Sequence, residues 1–194
     1  MTTCKFLCLL LLPLLPSLTT PLTSASPPTV LVTGGLGYIG SHTTVELLNS
    51  NRRVVILDDL SNSSPIALSR IKKLCPNVKD DMLVFRQGDV RDKKCVTNLL
   101  EDYPAITSCI HFAGLKAVGE SVSLPLLYYN TNVAGTVNLL ECLEKAKVRN
   151  FVFSSSATVY GEPEELPIGE GAELRATNPY GRTKLFIEVR RGEI

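Results

Sequence analysis

The chain has 194 residues, 44% of them hydrophobic, which is enough for one domain with a sizeable core. A formal net charge of +1 gives no electrostatic case for nucleic acid or for a strongly acidic partner. The cysteines (Cys4, Cys8, Cys75, Cys95, Cys109 and Cys142) include no C-x-x-C pair. Neither a zinc nor a redox motif is supported, and no metal site or disulfide framework is expected.

Residues 1–28 read as a leader. Lys5 is the only side-chain charge before Glu46, Phe6 to Leu15 is Leu-rich, and Ser, Thr and Pro dominate up to Pro28. Thr23-Ser24-Ala25 offers small residues at a cleavage point, so the segment resembles a secretory signal peptide. Its apolar run is shorter than the roughly 20 residues a membrane-spanning helix needs. A transit peptide and a mis-extended start, with the domain opening near Thr29, are the other readings.

Beyond the leader, strand and helix alternate. Val30 to Val32 is a β-branched run, and Tyr38 to Asn49 has helix-spaced apolar residues. Val54 to Leu57 is a second buried strand, and Pro65 to Leu74 a helix. Leu83 to Phe85 forms a third strand, ending at Gly88-Asp89, and Lys93 to Glu101 is helical. Ser108 to Phe112 is a fourth strand, in which Cys109 reads as a small buried hydrophobe. A long helix is expected over Leu126 to Lys147, then a fifth strand at Phe151 to Phe153. Gly161 to Asn178 reads as a loop, and Pro179 to about Val189 as a final helix. Continuous apolar strands between helices predict an α/β fold, a doubly wound parallel sheet of the Rossmann type.

Gly35-Leu36-Gly37-Tyr38-Ile39-Gly40 fits G-x-G-x-x-G, and Gly34, Gly37 and Gly40 also fit the wider G-x-x-G-x-x-G spacing. Glycine lets the chain leave the strand sharply and brings backbone close to a pyrophosphate, which the following helix N-terminus then faces. Asp58, at the end of the second strand, has the position of a carboxylate that accepts from both ribose hydroxyls of NAD and repels the 2′-phosphate of NADP. Asp59 is the neighbouring alternative, and Asp89, after the third strand, is placed to reach the adenine amino group. Tyr180-Gly181-Arg182-Thr183-Lys184 is Y-x-x-x-K, which sets both side chains on one helix face. A lysine ammonium beside a phenol whose ordinary pKa is about 10 favours the phenolate and suits it to acid–base exchange. Ser154-Ser155-Ser156 ends the fifth strand, where ligands of open α/β sheets sit; Ser156 is the chosen hydroxyl.

Four longer stretches resemble one family. Thr33 to Thr43, His111 to Ser121, Phe153 to Gly161 and Asn178 to Phe186 are similar to UDP-glucose (UDP-galactose) 4-epimerases of the extended short-chain dehydrogenase/reductase family, the last stretch being plant-like. The likeness covers about Thr29 to Glu188, and its block Gly114 to Ser121 is not shared by dehydrogenases in general. The resemblance implies an isomerase that uses NAD. Tyr180 would take the proton of the sugar 4-hydroxyl with Ser156 assisting, hydride would pass from carbon 4 to NAD and back, and Lys184 would hold the nicotinamide ribose. It implies that the cofactor is bound by Gly34, Gly37, Tyr38, Ile39, Gly40, Asp58, Asp59, Asn62, Ser63, Asp89, Val90, Phe112, Ala113, Gly114, Lys116, Asn132 and Lys184. Substrate would meet Lys116, Ser156 and Tyr180. UDP-glucose/UDP-galactose is the implied partner, with a homodimer for full-length members and a cytoplasmic location; a working leader would instead imply the secretory pathway.

Near relatives fit less well. Nucleotide-sugar 4,6-dehydratases carry an Asp-Glu pair where Ala157-Thr158 follows Ser156, and reductases of this type need the NADPH that Asp58 disfavours. A UDP-xylose/UDP-arabinose 4-epimerase stays open, as does a non-catalytic NAD-binding fragment. A secreted interaction module is the remote reading; the sequon Asn62-Ser63-Ser64 falls in the cofactor loop. The sequence departs from the family pattern in its leader, in Thr131 where many members have Asn, and in its end at Ile194. From that end we expect a truncated chain, in which residues 29–194 form the NAD-binding domain and turn over little.

Overall fold

The computed structural model describes residues 27–191. Among the described residues, five parallel strands form one sheet in the order β3-β2-β1-β4-β5. They are β1 (Thr29–Thr33), β2 (Arg53–Asp58), β3 (Leu83–Gln87), β4 (Ile106–His111) and β5 (Asn150–Phe153). The expected doubly wound α/β architecture is therefore present. β1 pairs with β2 on one side (Val32 opposite Ile56) and with β4 on the other (Val32 opposite Ile110). The chain moves outward from β1 to β3, then crosses back to β4, so a crevice opens past the carboxyl ends of β1 and β4.

Both sheet faces are covered, which explains the unbroken apolar strands. On one face Leu31, Val55 and Leu57 pack with Val96, Leu99 and Leu100 of α3 (Lys93–Asp102) and with Leu139 and Leu143 of α6 (Gly135–Lys145). Cys109 belongs to the same cluster and is fully buried, as read from the sequence. The other face joins Val30, Val32, Val54 and Ile56 to Leu48 of α1 (Tyr38–Asn49) and Ile71 of α2 (Ile66–Leu74). Asp92 starts α3 by accepting from the amides of Lys94 and Cys95. Strands β3 and β5 are the two edges of this sheet, and Val152 on β5 is exposed.

The long helix expected over Leu126 to Lys147 is more articulated. A short α4 (Val118–Ser123) precedes it, and α5 (Pro125–Tyr128) restarts with Pro125 in its first turn. A π-helical segment, Tyr129–Ala134, then leads into α6. After β5, a 3-10 turn spans Ala157–Val159, and no further helix or strand is described before α7 (Pro179–Arg191), two residues longer than expected. Asn178 caps α7 by accepting from the Gly181 amide (2.8 Å). The leader reading falls on residues outside those described, apart from Pro27 and Pro28. No helix among the described residues is long and apolar enough to cross a membrane.

Candidate active site

The crevice begins at the glycine turn. Gly34 has φ +69°, and a Cβ there would lie 2.6 Å from the Ala113 nitrogen; at Gly40 a Cβ would collide with the Gly34 carbonyl oxygen. The turn is closed by Gly34 N–H donating to Leu57 O (2.8 Å) and Gly37 N–H to Gly34 O (3.1 Å). α1 then starts with no side-chain cap among the described residues, which leaves its first amides for an anion. Gly37, Tyr38 and Ile39 line the crevice, the latter two with exposed side chains.

Asp58 lies at the crevice wall but is buried, because the protein already uses its carboxylate. Oδ2 accepts from Leu36 N–H (2.9 Å), and Oδ1 from Leu60 N–H (3.0 Å) and Ser63 Oγ (2.7 Å). Asp58 thus ties the second strand to the glycine turn. Ser63 reaches the site through Asp58 rather than lining it. Asp59 and Asn62 line the crevice; Asp59 accepts from the amide and hydroxyl of Ser61. Asp89 accepts from the Arg91 amide, Nε and Nη2. Burial pushes its carboxyl up, and the Arg91 contacts outweigh burial and hold it below the ordinary value. Val90 is buried beside it in the wall.

Past β4, Phe112, Ala113, Gly114 and Lys116 form the opposite wall, together with Leu115. Asn132 is buried behind this wall. Its Oδ1 accepts from Leu115 N–H (2.8 Å), and its Nδ2 donates to Leu115 O (2.9 Å) and Thr183 Oγ1 (3.1 Å). Its neighbour Thr131 is the π-segment residue at the crevice, within 3.4 Å of Arg91 Nη1.

Tyr180 and Lys184 both line the same crevice, from α7. Lys184 is only 6% exposed. Its Nζ donates to Ser154 O (2.8 Å), sits 4.6 Å from the Phe153 ring centroid and lies 5.9 Å from that of Tyr180. Burial lowers its pKa to about 8, with Glu188 pulling weakly the other way. The Tyr180 amide donates to Ser121 Oγ (3.2 Å), which pins α7 to α4.

Among the serines, Ser154 and Ser155 line the crevice. Ser156 stands outside those walls, where it caps the 3-10 turn and accepts from Thr158 N–H (3.3 Å) and Thr158 Oγ1 (3.0 Å). The Ser155 hydroxyl is buried without a partner among the described residues. An orphaned hydroxyl, an uncapped helix start and a Cβ-free turn around one crevice fit a polar, anionic dinucleotide. Leu57, Ser61, Gly88 and Leu115 also line the crevice; Leu57, Gly88 and Leu115 carry no polar side chain that marks them in the sequence, and Ser61 is one of several serines in its loop.

A family model described as GDP-mannose 4,6 dehydratase matches residues 31–190, and the chain belongs to that family. Within it the homology is to UDP-glucose 4-epimerases, which are isomerases. The chain is 56% identical to UDP-glucose 4-epimerase of Bacillus subtilis over 159 residues, covering 82% of this chain and 45% of that protein. It is 54% identical to UDP-glucose 4-epimerase 2 of Arabidopsis thaliana, with the same coverage. A solved UDP-glucose 4-epimerase from Bifidobacterium longum in complex with NAD+ and UDP superposes with TM-score 0.80 at 46% identity, covering 85% of this chain and 48% of that one. The Stenotrophomonas maltophila enzyme, with bound NAD and formylated UDP-arabinopyranose, also gives 0.80, at 44% identity. The chain spans about half the length of the curated relatives it matches.

Proposed function

We propose that residues 29–194 are the cofactor-binding and proton-transfer part of an NAD-dependent UDP-glucose/UDP-galactose 4-epimerase. The observation that carries this reading is the meeting of Tyr180 and the buried Lys184 with the glycine turn in one crevice. NAD, when bound, would supply the hydride acceptor and donor for sugar carbon 4. The glycine turn and the α1 amides bind the pyrophosphate, and the Asp58 carboxylate meets the adenine ribose and excludes a 2′-phosphate. Tyr180 Oη removes the proton of the 4-hydroxyl and gives it back when the 4-keto sugar is reduced. Lys184 Nζ supplies positive charge beside that oxygen and a donor for the nicotinamide ribose. Ser155, with its unpartnered hydroxyl, joins Ser156 as a candidate to share the sugar proton.

The test is conversion of UDP-galactose by the purified chain with NAD added. We expect Tyr180→Phe to lower turnover by about 100-fold or more while NAD stays bound. Turnover unaffected by Tyr180→Phe would refute the assignment. A second reading, favoured by Ser156 standing outside the crevice walls, is an NAD-binding unit that does not turn over by itself. The same sample separates the two: NAD retained with conversion, or NAD retained without it. UDP-xylose and UDP-arabinose belong in the assay, since they differ at the same carbon.

We also assign an apolar strip on the α5–α6 and α7 surface to homodimer formation. Val137 and Phe186 are exposed there beside Val133 and Leu140, and Tyr129 stacks edge-on against Phe186. Light scattering is expected to give a dimer that Phe186→Lys weakens.

A further inference from the structure

Behind the crevice, buried hydrogen bonds link the strand that opens the glycine turn to the helix that carries Tyr180 and Lys184. Thr33, His111, Thr136, Asn132 and Thr183 are each at most 2% exposed. Thr33 Oγ1 lies 2.6 Å from His111 Nδ1, and His111 Nε2 lies 2.8 Å from Thr136 Oγ1. Thr136 Oγ1 donates to Asn132 O (2.5 Å), Asn132 Nδ2 donates to Thr183 Oγ1 (3.1 Å), and Thr183 Oγ1 donates to Tyr180 O (2.7 Å). These partners fix the tautomer. The Thr136 proton is committed to Asn132 O, so His111 donates from Nε2 and accepts from the Thr33 hydroxyl at Nδ1.

His111 takes no part in the proton transfer proposed above. Its ring lies against Phe151 and Phe153, with centroids 6.0 and 5.9 Å away, in a space that an apolar ring would also fill. Burial, and then the charge of Lys184, lower its pKa to about 3 and keep it neutral. A buried polar chain with every member satisfied fixes one arrangement of the elements that it joins. Here it joins β1 to α6, and through the π-segment residue Asn132 it reaches both Leu115 and α7. The adenosine side is held separately, by Gly34 N–H on Leu57 O and Leu36 N–H on Asp58.

We propose that His111 is a positioning residue that, through Thr136 and Asn132, sets the Leu115 wall and the Tyr180–Lys184 helix at a fixed distance from the glycine turn, so that the nicotinamide half of NAD is received correctly. The inference rests on the cofactor reading above.

The test titrates the full chain and its variants with NAD and with ADP, with thermal melting in parallel. The wild type is expected to bind both. His111→Phe keeps the ring but removes both hydrogen bonds; it is expected to weaken NAD about tenfold while ADP changes less than about twofold. The triple variant Thr33→Val/His111→Phe/Thr136→Val removes the partners as well, and is expected to regain melting temperature without regaining NAD affinity. Equal loss of NAD and ADP, unchanged NAD affinity, or NAD affinity that returns with the melting temperature would each overturn the proposal. A wild type that binds neither ligand refutes the cofactor reading, and the positioning role with it.

Discussion

Lys184 is charged and nearly sealed from water, a costly state that a side chain chosen for stability would avoid. Its pKa, lowered by burial to about 8, has a definite consequence. Between about 8 and the ordinary lysine value, the unfolded chain holds more protons than the native chain, so stability rises with pH across that window. Denaturant titrations from pH 7.5 to 10.5 are expected to show a gain of order 3 kcal/mol from this group, absent in Lys184→Met. At neutral pH, Lys184→Met is expected to be the more stable protein and the poorer binder of NAD. The lysine was legible in the sequence because a helix fixes which residues share a face. The serine choice was harder to read: strand alternation ends at Phe153 and a 3-10 turn begins at Ala157, so no periodicity says which of Ser154, Ser155 and Ser156 faces the crevice.

Helix α7 is held against the 3-10 turn by the absence of a side chain. A Cβ at Gly181 would lie 2.7 Å from Thr158 O. Helix propensity alone favours Ala over Gly by about 1 kcal/mol, but overpacking against backbone costs about 1–3 kcal/mol, so the clash wins. Gly181→Ala is therefore expected to lower the melting temperature and to weaken NAD binding by shifting Tyr180 and Lys184 together. An equal or raised melting temperature would show that the turn yields. The first three strands and α1 to α3 were readable because apolar runs and helix-spaced apolar residues act locally. The π segment was not readable, because what favours it is tertiary: Asn132 turns inward to bond Leu115 and Thr183, far from it in sequence. α4 was missed for another reason. It has six residues, and both Val118 and Val122 are exposed, so no amphipathic period marks it.

For the whole molecule, the doubly wound parallel sheet followed from alternating strands and helices, and with it the place of the crevice at the strands' carboxyl ends; the order β3-β2-β1-β4-β5 came from the structure. What stood outside the reach of sequence patterns is how the two halves of the crevice are braced. The glycine turn and the Tyr-Lys helix are separated by well over a hundred residues of chain, yet they share one crevice through β4, β5 and the buried polar chain behind them. The most direct measurement is a crystal structure of the protein with NAD. The pyrophosphate is expected on the amides of Gly37 to Ile39, the adenine ribose at Asp58, and the nicotinamide ribose within hydrogen-bond reach of Lys184 Nζ, with the ring beside Tyr180. A dinucleotide bound elsewhere, or one whose nicotinamide points away from α7, would contradict the proposed assignment.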